Sequence, residues 1–415
     1  MLLEENVKEL LGKYGQEHVM KAYERLDEEG KKEMLEQIEN IDYERVNKLY
    51  EQTKHAATTG ADKIEPIPFV NSDELSEEEK SKYIEIGEKI IRDGKYAVVM
   101  VAGGQGTRLG HNGPKGTFDI GLESHKSLFE LFCDKLKMAK NKYNVSIPWY
   151  IMTSKENNDA TVAFFEQNNY FNYREGIKIF FKQGEFPMIN ESGKLIIGEN
   201  GLIKEAADGH GGIFEAMVKN KVFSEMKEKR IEWIFTCAVD NPLAKLVDPL
   251  LLGYAVDANV KLASVSITKR APSEKVGVFC KRNGKASVIE YTEISEEMAN
   301  AVNDKGNYLY GEAHIMMNLF NIDVIESLAN EKLPYHAAFK KCNYLDENGE
   351  LIIAETPNAY KFEAFIFDAF DRFNDMGILR YKREECFSPV KNATGDDSPE
   401  TARKAYMDYE NTHID

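Results

Sequence analysis

A nearly continuous apolar run, Tyr96-Ala97-Val98-Val99-Met100-Val101, opens into Ala102-Gly103-Gly104-Gln105-Gly106-Thr107-Arg108-Leu109-Gly110 and continues through His111-Asn112-Gly113-Pro114-Lys115-Gly116. Such a run reads as a buried strand of a parallel sheet, and glycines directly after it let the backbone turn tightly against a ligand. Gly103, Gly104 and Gly106 carry no Cβ, so successive N–H groups have room to donate to a polyphosphate or a base edge. Arg108 adds a planar fork and Lys115 a mobile point charge to the same loop. An anion is expected there.

Two familiar phosphate loops do not fit. The dinucleotide fingerprint G-x-G-x-x-G accepts Gly104 and Gly106 but needs a small residue where Leu109 stands. The P-loop G-x-x-x-x-G-K-[ST] fails because Lys115 lies between Pro114 and Gly116. The pattern left is G-G-x-G-T-R-L-G followed shortly by P-K-G.

Around the loop, strand and helix alternate. Helices are expected near Ser76–Asp93, Ser127–Tyr143, Asn158–Asn168 and Phe214–Lys227, and strands near Trp149–Met152, Ile177–Phe181 and Trp233–Val239. This order implies a doubly wound α/β sheet with ligands at the carboxyl ends of its strands. Two hairpins interrupt it, Lys194–Lys204 turning at Asn200-Gly201 and Val276–Tyr291 turning at Asn283-Gly284. Residues 1 to about 55 have helical spacing for two or three amphipathic helices, and Gln52–Leu75, with Thr58-Thr59-Gly60 and Pro66-Ile67-Pro68, reads as a loop. Beyond 330 the chain is mixed, with a strand near Leu351–Ile353 and helices near Phe362–Phe373 and Thr401–Asn411. The expected division is a helical N-terminal segment at 1–75, a catalytic domain at 76–329 and a C-terminal lobe at 330–415.

With 415 residues and a formal charge of −17, the chain has ample length for a sizeable core, and its charge argues against broad nucleic-acid or anionic-membrane binding, which needs a basic face, while leaving room for a local basic pocket. Cys133, Cys237, Cys280, Cys342 and Cys386 are odd in number and widely spaced, which suits reduced thiols. The acidic start at Met1-Leu2-Leu3-Glu4-Glu5 does not resemble a secretory leader, and no apolar run reaches membrane-spanning length. A soluble cytoplasmic protein is expected. Its oligomeric state is not legible.

The loop closely resembles the signature of the uridylyltransferases that make UDP-sugars, above all the UDP-N-acetylhexosamine pyrophosphorylases and the related UTP:glucose-1-phosphate uridylyltransferases. The resemblance continues through Pro148-Trp149-Tyr150-Ile151-Met152-Thr153-Ser154, Asp208-Gly209-His210-Gly211-Gly212, Val239-Asp240-Asn241, Val288-Ile289-Glu290-Tyr291-Thr292-Glu293-Ile294 and Phe387-Ser388-Pro389-Val390-Lys391-Asn392. It implies a Rossmann-like, doubly wound mixed sheet of the nucleotide-diphospho-sugar transferase type. It also implies UTP and a hexose-1-phosphate as substrates, with Mg²⁺ as cofactor.

Carried over residue by residue, Ala102, Gly103, Gly104, Gln183, Gly209 and Lys361 would bind UTP, with Gln183 and Gly209 on uracil. Arg108, Lys115 and Lys391 would offset charge on the reacting phosphates. Asp240 would hold Mg²⁺, the other reading of an Asp at a strand end being a helix cap. Glu290, His210 and Asn241 would face the sugar.

His210 departs from the D-G-N-G-G element usual in the acetylhexosamine enzymes and leans towards the G-H-G element of the glucose-1-phosphate enzymes. Tyr310-Gly311-Glu312-Ala313-His314-Ile315 falls where the former have N-A-G-N-I, which leaves Glu312 and His314 without an assigned role. N-acetylglucosamine-1-phosphate is the first choice of substrate and glucose-1-phosphate the alternative. A non-catalytic sugar-nucleotide sensor on the same fold is the reading from another class.

Overall fold

The apolar run at Tyr96–Val101 is a strand, buried along almost its whole length, within an eleven-stranded mixed sheet. The computed structural model describes residues 2–54 and 62–413. From one edge the main path runs Val70–Asn71, Gly377–Arg380, Leu262–Thr268, Glu312–Asn321, Trp233–Ala238, Tyr96–Val101, Trp149–Thr153, Ile177–Lys182. The Tyr96 strand is parallel to both neighbours, with Met100 level with Ile151 and Cys237, and the Ile177 strand extends that parallel set. Ala102, Ser154, Gln183 and Val239 therefore leave the sheet at one edge, the carboxyl edge where ligands of doubly wound sheets bind. The Glu312–Asn321 strand runs antiparallel between Leu262–Thr268 and Trp233–Ala238, which makes the sheet mixed.

Local chemistry explains the helices that flank these strands. Ser76 and Glu79 form a capping box: the Ser76 hydroxyl accepts from the Glu79 N–H at 3.2 Å, and the Glu79 carboxylate accepts from the Ser76 N–H at 2.8 Å. The helix they open, Glu77–Arg92, crosses Pro249–Asp257 backbone to backbone. A Cβ on Gly253 would lie 1.7 Å from the Tyr83 carbonyl oxygen, and one on Gly87 would lie 2.1 Å from that of Pro249. Ser127 caps Leu128–Tyr143, whose Phe129 joins Trp149 and Phe165 in the core with ring centres 4.9–6.4 Å apart.

Contacts divide the chain into two units, each made of three segments. The larger, Asp62–Gln183, Ile213–Lys332 and Ile366–Asp415, holds the whole eleven-stranded sheet. The smaller takes Met1–Ala61, Gly184–Gly212 and Leu333–Phe365. This is a different cut from consecutive segments ending at 75 and 329, because it follows contacts and not chain order. In the smaller unit the helices Leu2–Lys13, His18–Tyr23, Glu28–Asn40 and Tyr43–Lys54, more than the two or three expected, bury Leu11, Val19, Met34, Ile38 and Val46 in a core with Phe186, Ile189, Ile203 and Phe362.

Several expected elements differ. The Phe214–Lys227 helix is two, Ile213–Lys219 and Val222–Glu228, broken where Lys221 takes φ 61°. Phe362–Phe373 is not one helix: Ala359–Glu363 is a strand paired with His336–Lys340, and Ile366–Arg372 is a 3₁₀ turn. The loop expected at Gln52–Leu75 contains short strands at Ile64–Pro66 and Val70–Asn71, while Thr58-Thr59-Gly60 lies outside the described residues. Lys194–Lys204 keeps its turn but only isolated bridges, Ile189 with Leu195 and Ile197 with Ile203. The second hairpin forms as expected, Val278–Arg282 against Lys285–Ile289, with Asn283 at φ 53° and Gly284 at φ 82° in the primed turn. Among the described residues no helix is long and apolar enough to cross a membrane.

Candidate functional site

The glycine loop is closed on itself. Gly106 N–H donates to the Gly113 carbonyl at 2.9 Å and Lys115 N–H to that of Gly104 at 3.0 Å, so residues 104–115 form a bridged ring. Thr107–Leu109 makes a 3₁₀ turn ended by Gly110 at φ 70°, and the His111 ring meets the Thr117 hydroxyl at 2.7 Å. Gly116 lets the ring lie flat on the core, since a Cβ there would meet the Phe129 ring at 2.2 Å. This contact seats Lys115. Among the described residues the N–H groups of Gly103, Gly104 and Gln105 have no acceptor, and the buried Gln105 Oε1 has no donor. Three consecutive donors without partners at the end of a buried strand are what a backbone anion nest presents.

Lys115 Nζ stands 4.0 Å from Asp240 Oδ2, with the side chains 18% and 21% exposed. Asp240 follows the Trp233–Ala238 strand, and its carbonyl accepts from Val390 N–H at 2.7 Å, which places Lys391 one residue further along the same segment. The Lys391 ammonium lies 3.8 Å from Asp397 Oδ2 and 5.6 Å from the centre of the Phe387 ring. Arg108 is exposed on the 3₁₀ turn. Gln183 is set by its own N–H, which donates to the Thr153 carbonyl at 2.8 Å. Its side-chain oxygen lies where a Cβ on Gly103 would approach within 2.6 Å, so the bare glycine admits the amide.

Asn241 does not share the setting of Asp240. It is 3% exposed; its amide donates to the Cys386 carbonyl at 2.8 Å and its oxygen accepts from Ser388 N–H at 3.0 Å. Both ends of the side chain hold the Phe387–Lys391 segment against the strand end, as a latch. Glu290 follows the hairpin strand, half-buried, with its carboxylate beside Gly277, where a Cβ would come within 2.9 Å of Oε1.

Glu312 is a buried ion-pair partner, 3.0 Å from Arg380 and 2.6 Å from the Ser266 hydroxyl; burial pushes its carboxyl up while those two partners oppose the shift. His314 meets Asn318 Oδ1 at 3.1 Å and packs edge-on against Phe279.

In the smaller unit, Gly209 takes φ 88°, and a Cβ there would lie 2.3 Å from the Ala364 carbonyl oxygen. The Gly211 N–H donates to that same carbonyl at 2.9 Å, and Ala364 N–H donates to the Asp208 carbonyl at 2.8 Å. The His210 ring lies 5.4 Å from Phe365, and Lys361 on the Ala359–Glu363 strand pairs with Glu363 at 2.9 Å.

Two residues escaped the sequence reading. Asn157 is fully buried and hydrogen-bonds the carbonyls of Ala102 and Gly104; its only sequence signal is the Ser154-x-x-Asn157 spacing ahead of a helix. Lys135 places its amine 2.5 Å from the Pro242 carbonyl and 3.0 Å from that of Ala244, just past Asp240, within 6 Å of the centres of the Phe132, Tyr406 and Tyr409 rings. A lysine on a helix gives no sequence sign of such partners.

Asp240, a lone carboxylate at a strand end, is an oxygen ligand of the kind that suits a hard divalent cation carried largely by phosphates.

Comparison with known proteins agrees with this layout. Residues 42–396 match the family described as UTP–glucose-1-phosphate uridylyltransferase. The UDP-N-acetylglucosamine pyrophosphorylase of Saccharomyces cerevisiae is 37% identical over 359 residues, 83% of this chain and 75% of the relative. UDP-N-acetylglucosamine diphosphorylase 2 of Arabidopsis thaliana is 35% identical over 417 residues, 95% of this chain and 82% of the relative. Among solved structures, the uridine diphosphate N-acetylglucosamine pyrophosphorylase of Trypanosoma brucei, in complex with an inhibitor, superposes with a TM-score of 0.81 at 29% identity, covering 98% of this chain and 84% of that one.

Proposed function

The chain belongs to the UTP–glucose-1-phosphate uridylyltransferase family, and from that premise we propose that it joins UTP and N-acetylglucosamine-1-phosphate into UDP-N-acetylglucosamine and pyrophosphate. The observation that carries the chemistry is the cation and carboxylate, Lys115 and Asp240, 4.0 Å apart at the carboxyl edge beside three N–H donors without acceptors. The relatives' names supply the choice of sugar.

In the reaction an oxygen of the sugar-1-phosphate attacks the α-phosphorus of UTP in line with the departing pyrophosphate, and one P–O bond forms as another breaks. Such a transfer needs alignment and charge compensation more than covalent help. The N–H groups of Gly103, Gly104 and Gln105 bind phosphate oxygens. Lys115 and Arg108 offset the negative charge that spreads in the transition state. Gln183, offering a donor and an acceptor on one amide, reads the imide edge of uracil. Asp240 holds Mg²⁺, which neutralises phosphate charge when bound. Glu290 accepts from a sugar hydroxyl, and Lys391 is a further cation on the phosphates. Gly209, His210 and Lys361 keep their expected ligand roles within the proposal, each open to its own substitution. A cytoplasmic setting is part of the same reading, supported by five free, buried cysteines.

The second reading takes glucose-1-phosphate as the preferred substrate and is favoured by one observation, His210 in place of the asparagine usual in the acetylhexosamine enzymes. Pyrophosphate release from UTP, measured with a panel of sugar-1-phosphates, decides. The highest kcat/KM with N-acetylglucosamine-1-phosphate supports the first reading, and with glucose-1-phosphate the second. No release with any sugar, alongside tight UDP-sugar binding, makes the protein a sensor.

A further inference from the structure

Asn157 sits under the glycine loop with its side chain wholly removed from solvent. Its amide nitrogen donates to the Ala102 carbonyl at 2.9 Å and the Gly104 carbonyl at 3.2 Å. Its amide oxygen accepts from Ser154 N–H at 2.9 Å, and its own N–H donates to the Ser154 hydroxyl at 3.2 Å. These partners fix which end of the amide is which, since the reverse orientation sets an oxygen against two carbonyls. Asn157 also starts the helix Asn158–Gln167, its carbonyl accepting from Thr161 N–H at 2.9 Å and the Thr161 hydroxyl at 2.8 Å. The clamp is thus tied to the end of the Trp149–Thr153 strand through Ser154 and to the helix through its main chain.

The consequence follows from peptide geometry. In a trans peptide the C=O of one residue and the N–H of the next point in opposite directions. Holding the Ala102 oxygen turns Gly103 N–H away from Asn157, and holding the Gly104 oxygen does the same for Gln105 N–H. Both belong to the set without acceptors among the described residues. Nothing lies within 4 Å of the position a Cβ on Gly104 would occupy, so the loop has open space there. Lys115 N–H shares the Gly104 oxygen at 3.0 Å, which links the same clamp to the residue that carries the ammonium.

We infer that Asn157 is a positioning residue for nucleotide binding, one buried amide that aims two backbone donors at the UTP phosphates. This rests on the uridylyltransferase reading for its ligand, though any nucleoside triphosphate bound at the loop would feel the same donors.

The test compares wild type with Asn157→Ala and with Asn157→Asp, which is nearly isosteric, keeps the acceptor for Ser154 N–H and replaces the donor by an oxygen facing the two carbonyls. Each variant is first titrated for folded fraction by thermal melting. Loss of an aimed donor is expected to lower kcat/KM for UTP by on the order of 10²-fold, while KM for the sugar-1-phosphate at saturating UTP stays near the wild-type value. A purely structural role moves neither KM and lowers turnover only in step with the folded fraction, and that pattern in both variants overturns the inference. Should Asn157→Ala not fold, Asn157→Asp carries the comparison. UTP affinity by calorimetry is measured in parallel: a wild type that binds UTP without releasing pyrophosphate ends the uridylyltransferase reading, and the ratio of UTP affinities then decides on Asn157 alone. A wild type that binds no UTP overturns both.

Discussion

Lys115 and Asp240 are set side by side without touching, and that spacing separates their folding role from their chemical one. A partly exposed pair at 4.0 Å contributes about 0–1 kcal/mol to stability. Withdrawal of one charge from a transferred phosphate costs on the order of 10²–10³-fold in rate. Lys115→Ala is therefore expected to lower kcat by that factor while moving the thermal midpoint by no more than about 2–4 °C; a folded variant with near-normal turnover sinks the assignment. Asn241 gives the opposite result. Its substitution by Ala orphans the Cys386 carbonyl and the Ser388 N–H, at about 1–3 kcal/mol for each group left unsatisfied. Urea unfolding should show that loss directly, and an unchanged midpoint rules out the latch. The triplet Val239-Asp240-Asn241 was legible as a strand end. Which side chain faces the open edge was not, because adjacent side chains diverge and only the distant Cys386–Ser388 segment decides which is buried.

Elements were legible where their own residues decide them. The Ser76 and Ser127 caps, the Asn283-Gly284 turn and the apolar strands at 96, 149, 177 and 233 carry their signals locally. Where a distant partner decides, the reading went astray. Phe362, Ile366, Phe370 and Phe373 have helical spacing, but pairing of Ala359–Glu363 with His336–Lys340 draws the first of them into a strand. Pro66 suggested a loop, yet Ile64–Pro66 bonds along one side only, to Val278–Arg282, where a missing N–H is tolerated. The crossing of Glu77–Arg92 with Pro249–Asp257 is the element-scale case where two effects compete. An alanine at Gly253 gains about 1 kcal/mol of helix propensity, against a Cβ only 1.7 Å from the Tyr83 oxygen. Overpacking costs typically about 1–3 kcal/mol and more when backbone must move, so the clash should win. Gly253→Ala and Gly87→Ala are each expected to lower the urea midpoint, and the double variant by less than their sum, since one separation of the helices relieves both. A stabilised Gly253→Ala means the helices do not meet as described.

At the scale of the whole molecule, each unit is assembled from three segments far apart in sequence. Burial also leaves a signature that sums over the chain. Lys135, enclosed under the Pro242–Ala244 turn, has its amine pushed down to about 7 from an ordinary 10.5 by loss of solvation. Burial lowers Lys178 and Lys269 in the same direction. From about pH 7 towards 10.5 the unfolded chain holds a proton on Lys135 that the folded chain has shed, so this group makes stability rise with pH, and Lys178 and Lys269 act in the same direction below 10.5. The cysteines act the other way. Burial raises all five thiols from an ordinary 9.0, Cys280 to about 11 and Cys133 and Cys386 to about 12. Above pH 9 the unfolded chain loses thiol protons that the folded chain keeps, and stability falls, by up to about 1.4 kcal/mol per pH unit for each thiol. Above pH 9 the raised thiols outweigh Lys135, and buried tyrosines such as Tyr96, Tyr150, Tyr173 and Tyr381, raised above an ordinary 10.0, add to the fall, so the urea midpoint in reducing buffer should climb from about pH 7, pass a maximum and drop by about pH 10. Lys135→Met should flatten the climb between pH 7 and 8.5, and combined Ala substitutions at Cys133, Cys280 and Cys386 should shallow the fall between pH 9 and 10. A fall between pH 9 and 10 left unchanged by the Cys substitutions means that these thiols are not enclosed as the structure places them.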